Sequence, residues 1–149
     1  MSDPGLYLHL PQEPPADLAA TERRIDRLAG RGPAGGTEVW LNWLSRRRDV
    51  GAAVGVVELT IAQDGAASIA WFVFAPHQRQ GFGREQVAAV TGAAFAIGVV
   101  RITALIDTRN RASIGLARAV GMRRLGMRRG ADRFKGRLSD EFVYGRKAR

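Results

Sequence analysis

The segment Phe72–Arg84, FVFAPHQRQGFGR, runs from an apolar stretch through a short loop with two glycines into a helical pattern. Gly81 and Gly83 permit a tight turn and let the backbone approach a ligand closely, because they carry no Cβ. The first N–H groups of a helix, together with its dipole, attract an anion such as a phosphate or pyrophosphate. Arg79 and Arg84 add positive charge at the same place. A plain strand-to-helix connection is the alternative for a bare glycine pair.

The loop does not match two common nucleotide-binding motifs. No Gly-Lys-Ser or Gly-Lys-Thr sequence follows the glycines, as a P-loop requires. The third glycine of the Rossmann fingerprint is absent as well. The loop therefore predicts an anion site without assigning it to either class.

A second informative segment is Leu105–Gly121. An apolar strand ends near Asp107, and Asn110 is placed to cap a helix that Gly121 ends. Both segments follow strands, and open α/β sheets bind ligands beyond the carboxyl ends of their strands. We expect the two segments to meet at one site.

Hydropathy patterns predict a meander of strands followed by alternating helices and strands. This order indicates an α/β fold with a mixed sheet and helices packed on it, and the length suits one domain over residues 1–149. The predicted strands are Glu38–Ser45, Ala52–Ile61, Ser68–Phe74, Arg101–Ile106, Met122–Arg128 and Asp140–Arg146, and the predicted helices are Ala16–Ala29, Arg84–Ile97 and Asn110–Val120.

Positive charge is concentrated in the last third of the chain. The sequence holds 23 basic and 14 acidic residues, and residues 101–149 alone hold 14 and four. A nucleic-acid surface is one interpretation of this excess. However, residues 123–137 contain a single aromatic residue, Phe134, and no known RNA-binding motif, so we expect no nucleic-acid partner.

Several protein classes are excluded by composition. The absence of cysteine excludes a disulfide framework, and two histidines are too few for a convincing metal cluster, so no metal site is predicted. The first 15 residues lack the pattern of a signal peptide. The longest uncharged apolar stretch, Val87–Val100, has 14 residues, fewer than the roughly 20 that span a membrane. We therefore expect a cytoplasmic protein without a membrane partner.

Two motifs of the sequence resemble those of a known superfamily. The sequence QRQGFG at residues 78–83 resembles the pyrophosphate loop of the GNAT superfamily of acetyl-CoA-dependent N-acetyltransferases. The sequence NRASIGL at residues 110–116, followed by Gly-Met at 121–122, resembles the later motif of that superfamily. Trp71 before the loop, and Asn110 paired with Ser113, most resemble the branch that acetylates the N-termini of ribosomal proteins. The resemblance covers about Val39 to Val143.

The resemblance implies a central, mostly antiparallel sheet with a splayed strand pair and helices on both faces. It also implies direct transfer of an acetyl group from acetyl-CoA to a primary amine, either a protein N-terminus or a small molecule. The residues it assigns to the cofactor are Trp71, Phe72 and Val73 for the pantetheine arm through their backbone, Arg79, Gln80, Gly81, Phe82, Gly83 and Arg84 for the pyrophosphate, and Asn110 and Ser113 beside the pantetheine and the thioester sulfur.

The acid–base residues depart from the family pattern. Many members carry a tyrosine in the second helix as general acid, and the matching position here is Ala117. We assign the general-acid role to Ser113. The alternative is that Ser113 is an ordinary residue of the first helical turn, with local hydrogen bonds only. Glu58, a carboxylate within an apolar strand, is our general base. Its alternative is a solvent-facing strand residue, and His77 is a further choice of base.

The acceptor side is less well defined. Trp40 and Asn42 are predicted to border the acceptor pocket. The alternative is that the tryptophans of this strand belong to the core. Because side chains alternate along a strand, at most one of Trp40 and Trp43 is expected to face the pocket. Either Leu6–Leu10 replaces the usual first strand, or that strand is missing. A missing edge strand would leave backbone groups unpaired for a second copy of the chain, which predicts a homodimer. A catalytically weak acyl-CoA-binding protein is the first alternative function, and a basic nucleic-acid-binding protein is the second.

Overall fold

A computed structural model of the protein describes residues 3–134 and 136–148. Within those residues the chain forms six strands and three α-helices, in the order that the hydropathy pattern predicts. The elements are α1 (Leu18–Ala29), β1 (Glu38–Arg46), β2 (Ala53–Ala62), β3 (Ala66–Val73), α2 (Phe82–Ala96), β4 (Arg101–Asp107), α3 (Arg111–Ala119), β5 (Arg123–Phe134) and β6 (Arg137–Lys147).

The strands form one mixed sheet in the order β1-β2-β3-β4-β6-β5. Every neighbouring pair is antiparallel except β3 and β4, which run parallel. This parallel pair is joined only from Ala66 opposite Arg101 to Ser68 opposite Thr103. Beyond Ser68 the two strands are no longer paired, which leaves a gap toward their carboxyl ends. The mixed sheet and its splayed pair are thus confirmed.

Helices cover both faces of the sheet, as predicted. Val87 and Val90 of α2 lie in the hydrophobic core with Val57 and Leu59 of β2, which defines the α2 face. Ala117 of α3 and Val120, the C-cap of that helix, belong to the same core. Glu58 lies between Val57 and Leu59 in β2 and so points to the opposite side, where it pairs with Arg24 of α1. We call this side the α1 face.

The N-terminal segment differs from the prediction. Residues Pro4–Tyr7 form a short 3₁₀-helix, so Leu6–Leu10 does not replace a first strand. Asp3 accepts a hydrogen bond from the Gly5 N–H through its carboxylate, 2.8 Å long, and Pro4 fixes a helical φ. Tyr7 at the end of this turn is 5% exposed. Tyr7 therefore anchors a turn here rather than a strand, and Leu8 beside it is 59% exposed.

Strand β1 is consequently an edge strand of the sheet. The loop after α1 covers one end of this edge, because the Trp40 N–H donates to the Arg31 carbonyl over 2.9 Å. Alternate residues of a strand direct their backbone groups to the same side. The backbone of Asn42 and Leu44 therefore faces the open edge.

The last two strands are longer than the sequence predicts. Strand β5 extends to Phe134 and β6 begins at Arg137, with irregular register between Arg124 and Gly126 and between Arg128 and Asp132. The added stretch is rich in exposed arginine and lacks the apolar alternation that would mark a strand. Pairing with β6, rather than burial, holds it in extended form.

Candidate active site

The backbone of β3 lines the gap between β3 and β4. Phe74 donates its N–H to the Val54 carbonyl on β2, over 2.9 Å, so Phe72 also directs its backbone toward β2. The Phe72 carbonyl accepts a hydrogen bond from Gln86 Nε2 at 3.0 Å. By alternation, Trp71 and Val73 direct their backbone groups toward the gap. Of the three predicted residues, these two face it and Phe72 turns away.

The loop after β3 is held by its own glutamines. Gln78 Nε2 donates to the Val73 carbonyl at 3.0 Å, and Gln80 Nε2 donates to the Pro76 carbonyl at 2.9 Å. Arg79 has a φ of 62° and Gly81 a φ of 89°. A left-handed arginine is uncommon and costs backbone energy, so the loop is locally strained. The hydrogen bonds fix this conformation at the start of α2.

The N-terminus of α2 has no side-chain cap, so its first N–H groups can donate hydrogen bonds to a ligand. Gly81 is the N-cap, and it has no side chain to accept hydrogen bonds from the first helical N–H groups. Arg79 and Arg84 are exposed beside these groups. Uncapped N–H groups, the positive end of the helix dipole and two guanidinium groups together favour an anion at this point. His77 lies in the same loop with its ring 5.9 Å from that of Phe82.

Gly83 has a packing role that differs from the one predicted. It is buried, and a Cβ built on it would lie 2.5 Å from Leu116 Cδ1 and 3.1 Å from Val73 Cγ2. Its missing side chain therefore lets α2 pack closely against α3 and β3. At Gly81, by contrast, nothing lies within 4 Å of a built Cβ, so the backbone there is open.

Helix α3 begins at the other side of the gap and is capped. Asn110 Oδ1 accepts a hydrogen bond from the Ser113 N–H at 3.0 Å, which confirms Asn110 as the N-cap. Ser113 is half-buried in the first turn. Ala117, one turn later, is completely buried in the core. The position of the family tyrosine therefore contributes packing and no hydroxyl.

A polar network that sequence reasoning missed fixes the turn before α3. Asp107 is 5% exposed and accepts hydrogen bonds from the Arg109 backbone N–H at 2.7 Å, the Arg109 guanidinium and the Ser139 hydroxyl at 2.6 Å. The Arg109 guanidinium, followed by Ser139, holds the pKa of Asp107 well below its usual range. The signal in the sequence is an aspartate that ends an apolar strand two residues before a cation.

On the α1 face, Glu58 shares a cavity with Trp40 and Asn42. The cavity has a volume of about 610 Å³ and lies between α1 and strands β1 and β2. Arg24 of α1 forms an ion pair with Glu58 inside it. Trp43 lines this cavity together with Trp40, which corrects the expectation of one tryptophan at most. Its lining includes consecutive residues of β1, from Trp40 to Leu44.

Tyr7 lies next to this cavity and was also missed from the sequence. Its ring centroid is 6.1 Å from that of Phe72, on the stretch of β3 that borders the gap. Burial raises the pKa of Tyr7, the positive charge of Arg24 opposes the shift and the carboxylate of Glu58 adds to it. The residue falls outside the sequence motifs, so only the fold places it near Glu58.

Residues 3–134 and 136–148 contain no cluster of three or more histidine, cysteine, aspartate or glutamate side chains that could hold a metal ion. Over the same part of the chain, no helix is long and apolar enough to cross a membrane.

A split parallel strand pair with an uncapped helix N-terminus at its mouth is the arrangement of the GNAT acetyltransferases. The profile of the acetyltransferase (GNAT) domain matches residues 1–123, and the chain belongs to this family. Its members use acetyl-CoA as cosubstrate. A comparison with curated proteins gave no match.

Solved structures of the same fold cover nearly the whole chain. A GNAT-family acetyltransferase from Bacillus anthracis has a TM-score of 0.83 at 18% identity, over 99% of this chain and 84% of that one. Spermidine N-acetyltransferase from Vibrio cholerae, solved with CoA and spermine, also scores 0.83, at 16% identity over 99% and 85%. Ribosomal-protein-S5-alanine acetyltransferase from Vibrio fischeri scores 0.77, at 17% identity over 99% and 86%. At these identities the likeness concerns the fold.

Proposed function

We propose that this protein transfers an acetyl group from acetyl-CoA directly to a primary amine, on a protein N-terminus or on a small molecule. The observation that carries the proposal is the gap between β3 and β4 with the uncapped N-terminus of α2 at its mouth. Family membership supports the same activity. The absence of cysteine from the sequence leaves no thiol to form a covalent intermediate, so the transfer is direct.

The chain's own residues fit an extended acyl-CoA. The backbone groups of Trp71 and Val73 would hold the pantetheine arm in the gap, with Phe72 supporting the strand from the β2 side. The N–H groups of residues 79–84 would bind the pyrophosphate. Asn110 uses Oδ1 as a cap and keeps its Nδ2 as a donor toward the arm. When bound, acetyl-CoA supplies an activated acetyl group as a thioester.

Proton transfers at two points complete the reaction. Glu58 accepts a proton from the ammonium form of the acceptor, which frees the nitrogen lone pair. The nitrogen forms the amide bond while the carbon–sulfur bond breaks. Ser113 donates to the departing thiolate, directly or through a water molecule. The nitrogen loses its second proton as the amide forms, and this proton restores the Ser113 hydroxyl, directly or through water.

A catalytically weak acyl-CoA-binding protein is the second candidate. Two observations favour it, the complete burial of Ala117 at the family tyrosine position and the ion pair that holds Glu58. Both leave the cofactor site intact while reducing the groups free for proton transfer. This candidate predicts binding of CoA without turnover.

Cofactor binding and turnover separate these functions. Thermal shift with CoA measures binding, and release of free thiol from acetyl-CoA with a panel of amines measures turnover. Stabilisation with thiol release supports the transferase, and stabilisation alone with every amine supports the binding protein. No stabilisation by CoA, together with salt-sensitive RNA binding, would overturn both.

The Glu58→Gln variant tests the base. We expect turnover to fall by roughly 100-fold or more, because general-base catalysis contributes about 10²–10⁴. CoA affinity should not change, since Glu58 lies on the α1 face. Glu22→Gln is the matched control, because Glu22 is an exposed carboxylate of α1. Equal loss in both variants would refute the assignment.

Cytoplasmic location and a homodimer stay predictions of this proposal. The open backbone of β1 at Asn42 and Leu44 supports a dimer, because an unpaired edge accepts another strand. Light scattering on the purified chain measures the molecular mass directly.

A further inference from the structure

The cavity under α1 carries charges of both signs. We call it the α1 pocket. The charged side chains of its described lining are Arg24, Arg31 and Glu58, and Arg24 and Glu58 form an ion pair. The two paired side chains are 33% and 25% exposed, so a ligand in the pocket can reach both. A volume of about 610 Å³ is typical of a site for a small molecule.

The rest of the α1 pocket is mainly apolar. The Trp40 indole donates its N–H to Glu38 Oε1 at 2.6 Å, so the ring itself is left as a wall. Ile25 is 59% exposed and Leu44 is 49% exposed, and both line the pocket. Helix α1 contributes no buried residue. An apolar group bound here would cover surface that the fold leaves in contact with water.

The pocket is connected to the gap by an open surface. Glu58 is paired with Ala70 of β3, and Ser68 is two residues away on the same face. Both side chains are short and exposed, so they leave the surface between Glu58 and the gap clear. Tyr7 packs on Phe72 and borders this route. An amine nitrogen held by Glu58 therefore has a path toward a thioester in the gap.

We propose that the acceptor is an α-amino acid with an apolar side chain. Its ammonium group binds Glu58, its carboxylate binds Arg24, and its side chain lies against Trp40 and Leu44. Such a ligand replaces one ion pair by two, so neither charge loses its partner on binding. This inference rests on the proposed acetyl transfer and narrows its acceptor.

Other amines fit the pocket less well. A polyamine would meet one carboxylate and two guanidinium groups, so part of its charge would be repelled. An amine without a carboxylate would take Glu58 and leave Arg24 without an anion. The N-terminal residue of a peptide carries an amide in place of the carboxylate, so it also leaves Arg24 without an anion.

A matched set of acceptors tests the inference. L-leucine, L-leucinamide, 3-methylbutylamine and spermidine share an amine and differ in the carboxylate and in charge. We expect kcat/KM for leucine to exceed that for leucinamide by roughly 10- to 100-fold, because a hydrogen bond between charged groups is lost with the amide. Leucinamide or spermidine used as well as leucine would overturn the inference while acetyl transfer stands.

Variants of α1 locate the effect. Arg24→Gln should lower kcat/KM for leucine far more than for leucinamide, mainly through KM, and Arg24→Lys should restore part of it. Arg27→Gln is the control, because Arg27 is an exposed arginine one turn along. An equal loss for both acceptors in Arg24→Gln would refute the carboxylate contact. No stabilisation by CoA and no thiol release with any of the four acceptors would instead refute acetyl transfer itself, and this inference with it.

Discussion

Gly83 shows how a single missing side chain determines the packing of three elements. A Cβ at this position would meet Leu116 of α3 and Val73 of β3. We expect Gly83→Ala to lower the free energy of unfolding by about 1–3 kcal/mol, the usual cost of overpacking. Urea denaturation measures it. Gly83→Ala combined with Leu116→Ala should cost less than the sum of the two single changes, because the shorter side chain removes the clash.

The CoA affinity of folded Gly83→Ala is the second part of this prediction. It should match that of the wild type, since the added methyl group points to α3 and away from the open N–H groups. Gly81→Ala is the contrasting variant. A Cβ at this position would have no neighbour within 4 Å, whereas the φ of 89° is strained for alanine. A sharp loss of affinity in Gly83→Ala alone would show that the ligand, as well as the packing, requires this position to lack a Cβ.

Asp107 makes stability sensitive to acid. Its pKa is lowered in the folded protein, so the unfolded chain takes up a proton first as the pH falls. The stabilisation is complete above the unfolded value of about 3.9 and is lost as the pH falls below it. We expect Asp107→Asn to be less stable by about 1–3 kcal/mol at pH 7 and less acid-sensitive below pH ~4. Denaturation at several pH values checks both, and parallel pH curves would contradict it.

Among the elements, α3 combines a cap with a proposed cofactor contact. Asn110→Ala should cost about 0.5–2 kcal/mol, since it removes the acceptor for the Ser113 N–H. Asn110→Asp keeps that acceptor and removes the Nδ2 donor. If Asn110 holds the pantetheine arm, Asn110→Asp will retain stability and lose CoA affinity. Unchanged affinity in Asn110→Asp would leave Asn110 with capping alone, and calorimetry on both variants decides it.

The predictability of an element depends on what fixes it. Strands β2 and β3 and helix α2 carry apolar patterns that match their burial, so the sequence predicts them within about two residues. The turn at Pro4–Tyr7 is set by Asp3, Pro4 and contacts with distant Phe72, so local alternation misleads. The outer half of β5 depends on pairing with β6 and leaves no hydropathy signal.

Across the molecule, the residues proposed for the cofactor lie in short motifs of the sequence, whereas those of the acceptor side do not. The loop at residues 78–83 and the cap at Asn110 are contiguous in sequence, and their chemistry is carried by residues a few positions apart. The α1 pocket brings together Arg24, Trp40 and Glu58 from three separate segments, and Tyr7 from a fourth segment packs on Phe72 beside it. Only the way α1 and the N-terminal turn lie on the sheet makes these residues neighbours, and no periodic pattern records it.

The charge of the whole chain should affect how CoA arrives. The sequence carries a net charge of +9, and Arg79 and Arg84 are exposed at the open end of α2. Steering of an anion by such a field weakens as salt screens it. We expect the association rate of CoA to fall roughly tenfold from low to high salt, within the range of about 10–10³ that steering contributes.

Two variants separate local from global charge in this prediction. Stopped-flow binding of Arg79→Gln/Arg84→Gln should give a slower rate and a smaller dependence on salt. Arg123→Gln removes one charge from β5, where it lies opposite Gly145 and toward the end of the sheet away from the gap. Its rate should match that of the wild type, because the Debye length at physiological salt is about 8 Å. Arg123→Gln could instead slow binding as much per charge as the double variant does. In that case the total field of the molecule steers CoA, and Arg79 and Arg84 contribute no more than any other arginine.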